Sequence, residues 1–159
     1  MLIHSNTVAA AISRLALGAV LLPHGAQHLL GLFGGSGFQG TVAWMTTSAG
    51  IPAPLAALGI VVEFIAPIAL ILGAGSRLAG ALLAVFMAVA ASTHAANGFF
   101  MNWFGAHPAG TEGFEYHLLA IAMAVTVALQ GGGPLSVDAL IATRARRLSA
   151  DVRRYEPGR

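Results

Sequence analysis

Residues 55–74, LAALGIVVEFIAPIALILGA, form an apolar run interrupted by one charge, Glu63. At about 1.5 Å rise per residue the run is long enough to cross the roughly 30 Å hydrocarbon core of a bilayer. A carboxylate at that depth costs several kcal/mol unless a partner or a proton compensates it. Reading the run as a membrane span therefore makes Glu63 the residue whose surroundings need explaining.

Composition supports the membrane reading across the whole chain. Hydrophobic residues make up 57% and charged residues 9% of its 159 residues, with mean hydropathy +0.77, whereas soluble domains carry about 25% charged residues. The length suits one compact bundle without a second soluble domain. Cysteine is absent, which excludes disulfides, thiolate metal sites and thiol redox chemistry carried by this chain. The sequence pI of about 9.9 does not indicate nucleic acid. Every basic residue apart from histidine is arginine, and most lie beyond Gly133, in a basic tail rather than on a binding face.

Four runs have suitable length and polarity: 8–30, 55–74, 78–97 and 115–130. The expected fold is an all-α, four-transmembrane-helix bundle over residues 1–133, followed by an Arg-rich tail over 134–159. Arg14, the only charge in the N-terminal run, lies inside it rather than before it, so this run reads as an uncleaved span and not as a secretory signal. Arg77 lies between the second and third spans, and Arg144, Arg146, Arg147, Arg153, Arg154 and Arg159 follow the fourth. The connections 31–54 and 98–114 hold no Lys or Arg. The positive-inside rule then places both termini in the cytoplasm and both long loops outside, in a multi-pass protein of a bacterial-type inner membrane.

The outer loops are rich in aromatics: Phe33, Phe38 and Trp44, then Phe99, Phe100, Trp103, Phe104 and Phe114. They read as an interfacial belt or as a roof over a pocket between the helices. Past Pro134, Ser136 is a candidate helix cap with Asp138 in the first turn. Val137, Ile141, Leu148, Val152 and Tyr155 then share a face, as in a helix lying on anionic membrane lipid; a solvated tail is the other reading.

Every predicted span carries a polar group into the outer half of the bundle. These are His24, Gln27 and His28 from the first, Glu63 from the second, His94 from the third, and Glu115 with His117 from the fourth. Glu63 has three routes to neutrality: a proton, a protonated His24 or His94, or a salt bridge to Arg14 that fixes helix register. His24 and His28 are four apart and share a helix face, where Pro23 and Gly25 favour a local break that turns both rings inward. With Glu63, His94 or His117 as third ligand they would suit zinc, iron or manganese, and a cross-helix histidine pair would suit haem. Pro67, one turn past Glu63, withholds a backbone donor near the middle of its span and is expected to kink it.

Arg14, Gly18, His24-Gly25-x-Gln27, the lone Glu63, Ile71-Leu72-Gly73, Arg77, His94 with Gly98-Phe99-Phe100, Glu115 and Gly133-Pro134-x-Ser136-x-Asp138 follow one another in an order and spacing that resembles the DoxX family over residues 10–141. The resemblance implies a four-span inner-membrane protein, related to subunits of thiosulfate:quinone oxidoreductase and to partners of redox enzymes in bacterial stress responses. It also implies that Arg14, His24, Gln27, Glu63 and His94 occupy pattern positions. The pattern usually has Lys after the Gln, where this chain has His28, a titratable group in place of a fixed cation. The resulting expectation is a redox-associated subunit with a quinone-like ligand in the outer pocket. Glu63 and His94 would exchange protons with it, while His24, Gln27, His28, His117 and Glu115 would surround it and Arg14 would anchor the network. Electrons would come from a redox partner protein, and a homo-oligomer is a further expected assembly. The alternative expectation is a non-catalytic scaffold or assembly partner.

Overall fold

Because hydrocarbon offers the backbone no hydrogen bonds, an apolar chain of this kind satisfies its amides within helices. The computed structural model describes residues 8–105, 108 and 110–155, with side chains omitted at 151 and 153–155, and among them it is helical without strands. The helices are α1 (Val8–Leu30), α2 (Gly37–Thr47), α3 (Ala53–Leu72), α4 (Ser76–His94), α5 (Glu115–Gln130) and α6 (Val137–Tyr155). Three are long and apolar enough to cross a membrane: α1, α3 and α4, the last with its 3₁₀ extension to Asn97. At 16 residues, α5 is shorter. It spans about 24 Å.

Local chemistry sets the helix ends. Gly73 adopts φ 70°, and Ala74 N–H and Gly73 N–H donate back to Ala69 and Leu70 carbonyls, the Schellman pattern that stops α3 two residues before the hydropathy does. At its other end α3 begins before the predicted boundary, since Pro54 in the first turn has no N–H that the helix requires. The connection 31–54 is not simply a loop, because Gly37–Thr47 is helical and packs against α1 and α3 with Thr41 buried. Its glycine-rich flanks disguise a continuous stretch of residues that tolerate helix. The aromatic side chains of both connections stay largely at the surface, Phe104 at 96% exposure being the extreme, so they do not roof the bundle.

The chain runs back and forth between a basic end, where Arg14, Arg77 and α6 gather, and a histidine end. α1 packs chiefly on α3, and α4 on α5. Leu17, Leu21, Leu70, Leu83, Met87, Ala124 and Val127 fill the centre, while Leu58, Ile65, Leu78, Val85 and Leu119 point outward. Apolar side chains all around the helices fit lipid on the outside and protein within. Two glycines inside the helices mark close approaches of one helix to the backbone of another. A Cβ on Gly25 would lie 2.5 Å from the Glu63 carbonyl oxygen, and one on Gly80 would lie 2.8 Å from that of Ala124. Without a hydrophobic drive between helices in lipid, such contacts carry much of the association.

At the basic end the helices cap one another. Arg14 is buried and donates to the carbonyls of Leu70, Ile71 (2.7 Å), Gly132 (2.9 Å) and Leu135 (3.1 Å), taking up the C-terminal carbonyls of α3. The salt bridge to Glu63 considered from sequence is thus not formed. Its partners Leu70 and Ile71 lie about two turns, roughly 11 Å, beyond Glu63 along α3. Asp138, expected to serve α6, instead accepts from Gly75 N–H (2.8 Å), Ser76 N–H (2.9 Å) and Ser76 Oγ–H (2.8 Å) at the start of α4. Burial alone would raise its pKa, but the hydrogen bonds from Ser76 and Gly75, aided by Arg14, hold it below the usual carboxylate range. Ser136 caps α6, its Oγ accepting from Ala139 N–H at 3.1 Å. The tail is therefore helical and tied to the bundle at its first turn. The Tyr155 side chain and Arg159, assigned to its apolar and basic faces, lie outside the described side chains.

Gly25→Val is expected to abolish folded yield in detergent, measured by size-exclusion chromatography of a fluorescent fusion. Gly59→Ala, whose Cβ would meet only the Phe86 ring at ordinary contact distance, should be neutral. Asp138→Ala should lower stability by about 1 kcal/mol, the usual value of a helix cap. Because the folded Asp138 pKa is depressed, its contribution is complete above the unfolded value of about 3.9 and is lost as pH falls through the folded value. Thermal midpoints of Asp138→Asn should accordingly lack the part of the acid-side fall that the unsubstituted protein shows.

Candidate functional site

Gly25 has a direct consequence for the charged residue in α3. Its missing side chain lets α1 rest on the α3 backbone at Glu63, and His28, three residues on, projects from the same side of α1. Pro67 has no N–H for the Glu63 carbonyl four residues earlier, so the carbonyl facing Gly25 also lacks its helical donor. His28 Nδ1 meets Glu63 Oε2 at 2.6 Å. Glu63 is 4% exposed and His28 partly buried. The distance is that of a charge-assisted hydrogen bond, the arrangement through which a buried carboxylate becomes tolerable.

A second pair forms across α4 and α5, where the His94 and His117 rings lie 4.7 Å apart at 39°. His94 Nδ1 is 2.9 Å from the Ala90 carbonyl, and a carbonyl only accepts. Nδ1 therefore carries a proton, and in the neutral ring Nε2 is an acceptor. Tyr116 stands beside His117 on the first turn of α5, its ring 5.8 Å away. Two buried polar atoms, Tyr116 Oη and His117 Nδ1, make no well-formed hydrogen bond among the described residues, although the His117 ring lies near the Phe114 carbonyl of its own helix turn. Buried polar groups are nearly always paired, so these two call for a water or ligand atom. Together the cluster can give and accept hydrogen bonds and move protons between an imidazole, a phenol and a carboxylate.

The remaining candidates lie elsewhere. His24 is exposed: α1 continues through Pro23 without a break, and one turn before His28 it carries His24 clear of the Gly25 contact. Gln27 Nε2 donates to the Phe33 carbonyl at 3.2 Å and closes the turn after α1. Glu115 accepts from Trp103 Nε1 at 2.8 Å on the rim. Arg14 belongs to the basic end. Among the described residues no three of His, Cys, Asp or Glu come together to hold a metal ion, so the ligand set considered from the His24/His28 spacing does not assemble. The His94 and His117 rings are in near contact, which leaves no space for a porphyrin between them.

Sequence reasoning passed over Tyr116. A tyrosine one residue into a span reads as part of an interfacial belt, and only its adjacency to His117 on the first turn of α5 hinted otherwise.

The family model for DoxX matches residues 9–103, more than half of the chain. The match includes Arg14, His24, Gln27, His28, Glu63 and His94 and ends before Tyr116 and His117. None of the curated proteins and none of the solved structures matches the chain. With its long apolar helices and this match, the chain belongs to the DoxX family of membrane proteins.

Proposed function

We propose that this chain is a four-span inner-membrane subunit associated with redox chemistry, and that its histidine-end cluster binds a quinone-like molecule with a polar head. The observation that carries the reading is the pair of buried atoms without a well-formed hydrogen bond, Tyr116 Oη and His117 Nδ1, at the same histidine end of the bundle as the bonded Glu63 and His28. A quinone carbonyl accepts from a phenol or an imidazole N–H. On reduction the oxygen needs a proton, which a carboxylate and imidazole held at hydrogen-bond distance are suited to deliver. In this assignment Glu63 with His28 forms the proton-exchanging pair, Tyr116 and His117 grip the head group, and His94 supports His117. Electrons would enter from a redox partner protein, since the chain has no cysteine for thiol redox chemistry.

The four-span count requires α5 to cross as well. A span about 24 Å long is accommodated by local thinning of the bilayer at modest cost. Both termini would be cytoplasmic, with Arg77 and the arginines of α6 inside and the histidine end facing outward. A specific observation also favours a second reading, a non-catalytic scaffold or assembly partner. The His28 to Glu63 bond already ties α1 to α3 at their closest approach, as a device for helix register would.

Substituting Glu63→Gln separates the two. A ligand site should keep folded yield and lose at least about tenfold of the quinone co-extracted from the purified protein, as measured by mass spectrometry, a loss equivalent to roughly 1.4 kcal/mol. Undiminished quinone in a folded Glu63→Gln protein would sink the ligand reading, whereas lost yield in both Glu63→Gln and His28→Gln would favour the scaffold. The native chain has no cysteine, so single introduced thiols report topology cleanly. Thr111→Cys should react with an impermeant maleimide on intact cells, and Ser149→Cys only after permeabilisation.

A further inference from the structure

The basic end holds a second concave surface, remote from the histidine cluster. Where α6 leaves the bundle, a cavity of about 600 Å³ opens between its first turns, the start of α4 and the glycine loop at 131–133. Its size is that of a small-molecule site. Three charged side chains line it: Arg77, Arg146 and Asp138. Both Asp138 oxygens are already engaged with Gly75 and Ser76. Arg77 Nη1 donates to the Ala128 and Leu129 carbonyls, which fixes its guanidinium at the end of α5. Arg146 follows Asp138 by about two turns of α6, roughly 12 Å, and is exposed at the mouth. The walls are also partly apolar, with Leu78 and Ile141 at 67% and 60% exposure.

The cavity does not depend on a loosely attached tail. Arg14 holds the Leu135 carbonyl, Asp138 N–H donates to Gly73 O at 3.0 Å, and the Asp138 carboxylate holds the first residues of α4. Five backbone and side-chain bonds thus set the direction in which α6 departs, and with it the position of Arg146 relative to Arg77. α4 begins here and is long enough to cross a bilayer, so the opening lies at headgroup depth. From Leu78 the exposed apolar surface continues up α4 through Leu82 and Val85.

We infer that this cavity is a binding site for an anionic phospholipid. The phosphate sits between Arg77 and Arg146, and the acyl chains run along Leu78 and the apolar face of α4. Two guanidiniums at a membrane boundary match a phosphodiester, and the apolar wall is what distinguishes a lipid from free phosphate, which has no use for it.

The test is native mass spectrometry of the full-length protein in detergent, titrated with phosphatidylglycerol and with phosphatidylcholine of the same acyl chains. Phosphatidylglycerol is expected to bind at least about fivefold more tightly, the contribution of one basic residue at an anionic surface. Arg146→Gln should remove most of that preference without moving the thermal midpoint, because Arg146 is exposed. Arg147→Gln, the same charge change on a residue that does not line the cavity, should leave the preference intact. Equal binding of the two lipids would overturn the proposal, as would an unchanged preference in Arg146→Gln or an equal loss in Arg147→Gln. Displacement of phosphatidylglycerol by glycerol 3-phosphate at equal concentration would assign the site to a free anion and also overturn it.

Discussion

The hydrogen bond between Glu63 and His28 is the contact around which this bundle is arranged. A carboxylate on a membrane-length helix needs a proton or a partner, and here the partner, His28, comes from another helix. That requirement brings α1 and α3 together where Gly25 leaves room for the α3 backbone. Both residues matter to the same contact: with a side chain at position 25 the helices would stand apart and His28 would fall short of the acid. α4 and α5 also approach closely at Gly80, and at the far end of the same helix pair, about four turns or roughly 21 Å along α4, His94 lies beside His117. The Glu63–His28 bond thus coincides with the close small-residue approach of α1 to α3 at Gly25, so packing and polar pairing favour the same arrangement.

The opposite end follows a different rule. Helix termini leave amides and carbonyls unpaired, and near lipid those groups cannot rely on water. Arg14 takes the carbonyls that end α3, and Asp138 takes the amides that begin α4. Each charge meets the end of the helix dipole that favours it. Because Asp138 belongs to α6, the tail is locked to the bundle by the same bonds that finish α4. The helix ends at the basic end are thereby satisfied, with the cavity lying outside them between α6 and the start of α4, whereas at the other end Tyr116 Oη and His117 Nδ1 lack a well-formed hydrogen bond among the described residues. That contrast favours placing ligand chemistry at the histidine end.

Individual residues show how far the sequence could be read. The membrane-length helices were legible because hydropathy and length are properties of contiguous residues, and the boundaries shifted by a few residues, at α3 where Gly73 and Pro54 imposed turn and cap geometry and at α4, which runs from Ser76 to His94 rather than over 78–97. The helix at Gly37–Thr47 was hidden because its flanking glycines resemble a loop, and it is held by packing on α1 and α3. For the site, the importance of Glu63 was visible from its cost in hydrocarbon. The identity of its partner was not. His24 and His28 were equivalent candidates by spacing, and the contact at Gly25 presents only His28 to the acid. The removal of Arg14 from this site likewise depends on how far along α3 it lands.

The sequence by itself determined that the chain is a helical membrane protein with a buried acid that must be compensated, because transfer energies and helix length are local quantities that add along the chain. Only the tertiary structure decided which groups meet. Pairing across helices depends on the relative rotation and depth of neighbours, and these are set by a few close backbone contacts that leave no periodic trace in the sequence. Glu63 therefore pairs with His28 rather than Arg14, His94 meets His117, and Asp138 caps a helix more than sixty residues before it.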